Sequence, residues 1–168
     1  MTAVAAAREA SVQRAPDRTA EVGIIIEMNG TTIIELPIEN VYAHVSEVGH
    51  DVEWRQGLTE SGMTSRPPLG LGSTGYARAG TTEVGWTVTA FGADRRIEWE
   101  LTSGPFRGSG GYLFEPIGAK TRFTLLADVE PPGLMKLLGP LFARMGRRPN
   151  QGDVDRLKTL LETARPAT

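Results

Sequence analysis

"EVGWTVTAFGADRRIEWELTSGPFRGSGGYLFEPIGAKTRFTLLADV", residues 83–129, alternates apolar and polar residues in several short runs separated by turn-forming ones. Successive side chains of a β-strand point to opposite faces, so each run can be read by which face it makes apolar. Val84, Trp86, Val88 and Ala90 fall on one face, against Glu83, Thr87 and Thr89 on the other. Ile97, Trp99 and Leu101 oppose Glu98, Glu100 and Thr102; Tyr112 and Phe114 go together, as do Phe123, Leu125, Ala127 and Val129. Residues opposed across an antiparallel pair share a face, which tests whether the runs fit one sheet. Pairing Ala90 with Ile97 sets Val88 against Trp99 and Trp86 against Leu101. Pairing Leu101 with Gly108 sets Ile97 against Tyr112. Pairing Phe114 with Phe123 leaves Ile117–Lys120 as a four-residue turn. One apolar face therefore crosses four consecutive strands without conflict. Tyr76 falls on the other face if Ala79-Gly80 turns the preceding hairpin, and is left out of the apolar set.

Upstream, "GIIIEMNGTTIIELP" (23–37) has a mostly apolar even face (Ile24, Ile26, Met28, Thr32, Ile34, Leu36), with Ile25 and Ile33 breaking the alternation, which predicts one long bent strand in preference to a hairpin at Asn29-Gly30. After Pro37, Ile38, Val41, Tyr42 and Val45 recur at helical spacing, and "HDVEWR" (50–55) reads as a second short helix or turn. "LTESGMTS" (58–65) and "STGYAR" (73–78) read as strands around a loop. Past residue 130 the period becomes helical: Leu134, Leu137, Leu138, Leu141 and Met145, then Val154, Leu157, Leu160 and Leu161. Pro149 and Gly152 interrupt, predicting a kinked helix or two helices. A meander with one apolar face, covered by a C-terminal amphipathic helix, makes a complete α+β core.

Bulk properties agree. At 168 residues the chain is expected to form one domain over 21–168, with residues 1–20 read on composition as a disordered tail. The formal net charge of -2, from 18 basic and 20 acidic residues, gives no overall field to attract nucleic acid or an anionic membrane. Without cysteine there is no disulfide or thiol chemistry, which suits a cytoplasmic location. No apolar run reaches the roughly 20 residues that span a bilayer, so no stable membrane insertion is expected. The start of the chain lacks the basic-then-apolar order of a signal peptide.

The order of strand, two short helices, antiparallel run and C-terminal helix resembles the helix-grip fold of the START and polyketide-cyclase-like superfamily, SRPBCC. "IIELPIENVYAHVSEVGHDVEWR" (33–55) looks like its opening, "VTAFGADRRIEWEL" (88–101) its central hairpin, "YLFEPIGAKTRFTL" (112–125) its late hairpin and "DVDRLKTLLE" (153–162) its last helix. Together these cover about residues 22–164. The resemblance implies a curved sheet of about seven strands gripping the last helix, with a cavity between them for an apolar or polycyclic small molecule. It implies no shared catalytic set.

The candidate sites are few. His44 and His50, six apart, do not share the i, i+4 face of paired metal ligands, and no cysteine or third histidine exists. No metal and no other cofactor is expected. His50 is a conceivable general base, with adjacent Asp51 read as a cap or surface charge. The glycines of "LGLGSTG" (69–75) lie between strands with no helix following, which argues against a phosphate loop. Arg144, Arg147 and Arg148 read as a solvated helix face.

Trp86 and Trp99 share the inward face with Tyr112, leaving core and cavity lining both open. The expected ligand-binding residues are Trp86, Trp99, Tyr112 and Phe114 from the sheet, and Leu138, Leu141 and Phe142 from the helix. Trp54 stands near the entrance, as the resemblance implies. The expected function is binding of a hydrophobic, ring-containing molecule, as carrier or sensor. The alternative is a cyclase or dehydratase using His50, Tyr112 or a carboxylate at the cavity mouth. The inward faces hold almost no ionisable group, which favours binding.

Overall fold

The computed structural model describes residues 26–130 and 149–164. Within them a seven-stranded antiparallel sheet runs from β1 (Ile26–Ile34) through α1 (Ile38–Ser46), a 3-10 turn (Val48–His50) and α2 (Asp51–Trp54). It continues through β2 (Glu60–Met63), β3 (Thr74–Ala79), β4 (Thr82–Gly92), β5 (Arg96–Ser103), β6 (Arg107–Ile117) and β7 (Lys120–Glu130) to α3 (Pro149–Thr163). The strand order is β1-β7-β6-β5-β4-β3-β2, so every neighbour is sequential except β1, which closes onto β7. The curled sheet half-encloses a concave face, and α3 packs on β1, β7 and α2 at one side of it. This is the helix-grip architecture.

The strand β1 is continuous through Asn29-Gly30 and pairs with β7 over its whole length. Trp86 faces Leu101, Val88 faces Trp99, Ile97 faces Tyr112 and Phe114 faces Phe123, as the shared-face test requires. Several local details differ, among them a register shift in the β4–β5 pair between Gly85, opposite Ser103, and Trp86. A bulge between Val88 and Ala90 adds a residue to β4, so Ala90 pairs with outward-facing Glu98 and Phe91 takes its place opposite Ile97. Ile117 and Lys120 pair, so the β6–β7 turn is Gly118-Ala119, with Gly118 at φ 61° supplying the left-handed conformation. The β3–β4 turn is Gly80-Thr81, because Ala79 pairs with Thr82. That one-residue slip preserves parity, so Tyr76 still faces outward, where its hydroxyl donates to Glu60 at 2.7 Å.

The core lies where the concave face meets α1, α2 and α3. Ile34, Val41, Trp54, Phe123, Leu125, Val154 and Leu157 have no accessible surface. Pro149 is the first described residue of α3. The helix contributes Val154 and Leu157 to the core, with Leu160 and Leu161 half-buried against it. The leucines expected at 134–145 and the tail at 1–20 lie outside the described residues, as does any continuity of the helix before Pro149. No helix among the described residues is long and apolar enough to cross a membrane.

Side chains of α3 also cover the free edge of β1. Asn150 donates to the Met28 carbonyl at 2.7 Å, Gln151 bonds both the N–H and the carbonyl of Thr31, and Glu162 accepts from the Glu35 N–H. Those contacts give unpaired strand groups partners and block pairing with another chain. The close approach needs Gly30, because a Cβ there would collide with the Asn150 carbonyl. Gly30→Ala should therefore cost about 2–3 kcal/mol by forcing helix and strand apart. Gly49→Ala, whose Cβ would point into open space, should stay within about 0.5 kcal/mol. Urea denaturation of the pair checks both; equal losses would mean that α3 does not sit tightly on β1.

Candidate functional site: an aromatic cavity with one polar end

A cavity of about 410 Å³ opens along the concave face, inside the roughly 300–1,000 Å³ span of small-molecule sites. Its long wall comes from β3, β4 and β5, where inward residues alternate as Ala77 and Ala79, Val84, Trp86 and Val88, then Ile97, Trp99 and Leu101. The two indoles can lie over the sheet because small residues face them. Trp86 is opposite Gly75 and Trp99 opposite Gly110, and a Cβ on either glycine would strike the ring. Leu69, from the loop before β3, and Phe106, before β6, add apolar surface.

The polar residues are not scattered evenly. Asp51 and Arg55, one helical turn apart, face the cavity from the end of α2, and Tyr112 meets them from β6. The Tyr112 hydroxyl donates to the Asp51 carboxylate, at 3.2 Å to Oδ1 and 3.4 Å to Oδ2. The Tyr112 ring is held edge-on to Trp99 at 4.6 Å and tilted to Phe123 at 5.6 Å, which fixes where the hydroxyl points. Behind them Asp153 of α3 accepts from the Gln56 N–H at 2.9 Å and faces Arg55 electrostatically.

Asp51 and Arg55 each keep intermediate accessibility, with their charged groups packed among protein atoms on most sides. Both line the cavity, so the surface they retain opens into it. Burial pushes the Asp51 carboxyl up to about 6, against the downward pull of Arg55, the Tyr112 hydrogen bond and His50. Burial, then the Asp51 charge, also raises Tyr112. Burial would lower Arg55, but Tyr112, Asp51 and Asp153 together hold it above its ordinary value. The Arg55 Nε–H is buried without a partner among the described residues, and its guanidinium lies 6.0 Å from the Trp54 ring centre.

These positions revise several expectations. Asp51 is neither a cap nor a surface charge: no side-chain cap bond is made at α2, and the carboxylate is committed to Tyr112. The cavity does hold ionisable groups. The signal for them in the sequence is the i, i+4 spacing of Asp51 and Arg55, which puts both on one side of a single turn while Trp54 points away. Trp54 is not at an entrance: it has no accessible surface and packs against Tyr112 at 5.7 Å and Phe123 at 5.9 Å. Phe114 is core too, buried against Tyr42 and Phe123 and absent from the cavity wall. Trp86, Trp99 and Tyr112 do line the cavity. Leu138, Leu141 and Phe142 lie outside the described residues.

The histidines come together although six residues separate them, because the 3-10 turn folds His50 back over the end of α1. Their rings stack at 4.5 Å, and His50 Nδ1 lies 3.3 Å from the His44 carbonyl. Burial, then the neighbouring His50, lowers the His44 imidazole, although Glu53 lies 3.5 Å from its Nε2. Among the described residues no group of three His, Cys, Asp or Glu side chains is placed to hold a metal ion.

A curled antiparallel sheet with a C-terminal helix packed at its side and a largely apolar cavity on its concave face define an α+β helix-grip fold. The chain belongs to the polyketide cyclase / dehydrase and lipid transport family, whose model matches residues 26–162, and so to the SRPBCC superfamily. Similar solved structures agree on the fold. A protein of Thermus thermophilus is 20% identical, with TM-score 0.67, over 83% of this chain and 99% of its own. The ZhuI aromatase/cyclase of a Streptomyces species is 13% identical, with TM-score 0.69, over 85% and 97%. A START superfamily protein of Mycobacterium smegmatis is 16% identical, with TM-score 0.66, over 83% and 99%. No curated protein matches the chain.

Proposed function

We propose that this protein binds an apolar, ring-containing small molecule in the cavity, as a carrier or sensor. The observation that carries the reading is the wall itself: Trp86, Trp99 and Tyr112 flank a space of about 410 Å³ in which apolar side chains predominate. Burying apolar ligand surface there is worth about 25 cal/mol per Å² before the costs of binding are subtracted. Aromatic walls add offset or edge-on stacking, which favours flat ligands over flexible chains. The family's description, which couples cyclases with lipid transport, agrees with a hydrophobic ligand.

Titration with sterols, aromatic polyketides and straight-chain fatty acids, followed by tryptophan fluorescence, tests this. Two of the three indoles border the cavity, so a ring compound should shift or quench the emission saturably, and a fatty acid should do so less. No response from any ring compound would overturn the reading.

A cyclase- or dehydratase-like enzyme is the second reading, favoured by one observation. Asp51, Tyr112 and Arg55 place a carboxyl, a hydroxyl and a cation together at the end of an apolar cavity, a combination suited to proton transfer. Formation of a new ring or loss of water from a bound polyketide, abolished in Asp51→Asn, would establish it.

A further inference from the structure

We infer that the Asp51–Tyr112–Arg55 end of the cavity receives a hydroxyl group on the ligand's ring, a phenol above all, so that the molecule enters hydroxyl first. This inference rests on the cavity being a ligand site and names what that ligand must carry.

Three observations lead to it. Asp51 has more acceptor capacity than the Tyr112 hydroxyl uses: two oxygens offer about four lone-pair positions, and Tyr112 supplies one hydrogen between them. Arg55 lines the same end, drawn to Asp51, Asp153 and the Tyr112 hydroxyl, so a guanidinium stands beside a carboxylate with spare acceptor capacity. Elsewhere the wall is largely apolar, its only other polar residues among those described being Thr82, Ser109 and Asn150, none of them charged and Asn150 already donating to the Met28 carbonyl, so a ligand polar group gains most at this end.

Charge then selects among polar groups. Arg55 is already faced by two carboxylates, Asp51 on the cavity wall and Asp153 behind it. A ligand carboxylate would bring a third negative charge against Asp51, and an ammonium would bring a second positive one against Arg55; both repulsions are strong in a site screened from water. A hydroxyl is neutral and does both jobs, donating to Asp51 and accepting from Arg55. An ether accepts but cannot donate, leaving the carboxylate unmet. A phenol is a better donor than an alcohol, and its ring can stack or pack edge-on against the Trp86 and Trp99 indoles that line the cavity.

Calorimetric titration with 2-naphthol, 2-methoxynaphthalene and 2-naphthoate separates the possibilities on one ring frame. The naphthol should bind about tenfold more tightly than the ether, and more tightly than the naphthoate, since a hydrogen bond to a charged group is worth about that factor. In Asp51→Asn the preference for naphthol over ether should fall to about threefold or less, whereas Arg55→Met should weaken naphthol and ether alike, since both accept from the guanidinium, and leave the preference in place. Thermal melts establish that the variants are folded, and the wild-type comparison stands without them. Equal binding of naphthol and ether overturns the inference and leaves hydrophobic binding intact. Tightest binding by the naphthoate also overturns it, in favour of a carboxylate ligand. If none of the three binds, both the inference and the reading it rests on fall.

Discussion

Trp54→Ala should cost about 3–5 kcal/mol, and Trp99→Ala clearly less, although both remove an indole from the same aromatic cluster. The difference lies in what surrounds each ring. Trp54 has no accessible surface and is enclosed by Tyr112, Phe123 and the packing of α2 on α3. Its removal would leave a void bounded by a sheet and a helix that hold each other in place, so little of the space could collapse. Trp99 borders a cavity that already exists. Its loss would enlarge an open space and forfeit the edge-on contact with Tyr112, without making a new enclosed hole. Urea denaturation of both variants, with unchanged m-values, gives the comparison directly. A Trp99→Ala loss as large as that of Trp54→Ala would mean that the cavity is closed in solution.

The same pair shows how far the sequence can be read. Facing positions are legible because alternation fixes which side of a strand a residue occupies, and four strands have to agree on one face. Hence Trp86–Leu101, Val88–Trp99 and Phe114–Phe123 pair as the pattern requires. What periodicity cannot separate is packed core from cavity wall, since both are apolar and both face inward. Phe114 and Tyr112 are alternate residues of one strand on one face, yet only Tyr112 reaches the cavity, because α1 covers Phe114 with Tyr42. Trp54 is hard to place for a related reason: α2 has a single turn, too short for a periodic signal, so its inward side cannot be assigned from spacing. For Asp51 and Arg55 the i, i+4 spacing says that they share a side, but not that this side faces inward. The bulge at Val88/Ala90 has no marker in the sequence, and it moves Ala90 outward and Phe91 inward.

Asp51→Asn should make the protein more stable than wild type at pH 7, by an amount that shrinks as the pH falls. Burial raises the Asp51 carboxyl from an ordinary 3.8 to about 6, although Arg55, Tyr112 and His50 pull the other way. The folded protein therefore holds this proton more tightly than the unfolded chain does. A protonated Asp51 favours the fold fully below about pH 3.8, and that contribution is lost as the pH rises through about 6. The loss, over roughly two pKa units, is about 3 kcal/mol. Asparagine matches the shape, offers Tyr112 the same acceptor oxygen and never ionises, so it avoids the loss. The quantity to measure is the stability difference between variant and wild type from pH 4 to 7.5, in which the titrations of Asp153 and His44 largely cancel. It should rise by about 2.5 kcal/mol across that range, the first part of the loss falling below pH 4. A flat difference would mean that water solvates the carboxylate and that the polar end of the cavity is open to bulk solvent. A rising one identifies a carboxylate that weakens the fold at neutral pH, at a position where asparagine fits. A locally costly residue of that kind is expected where a site needs an ionisable group, and here it faces the ligand cavity beside Tyr112 and Arg55.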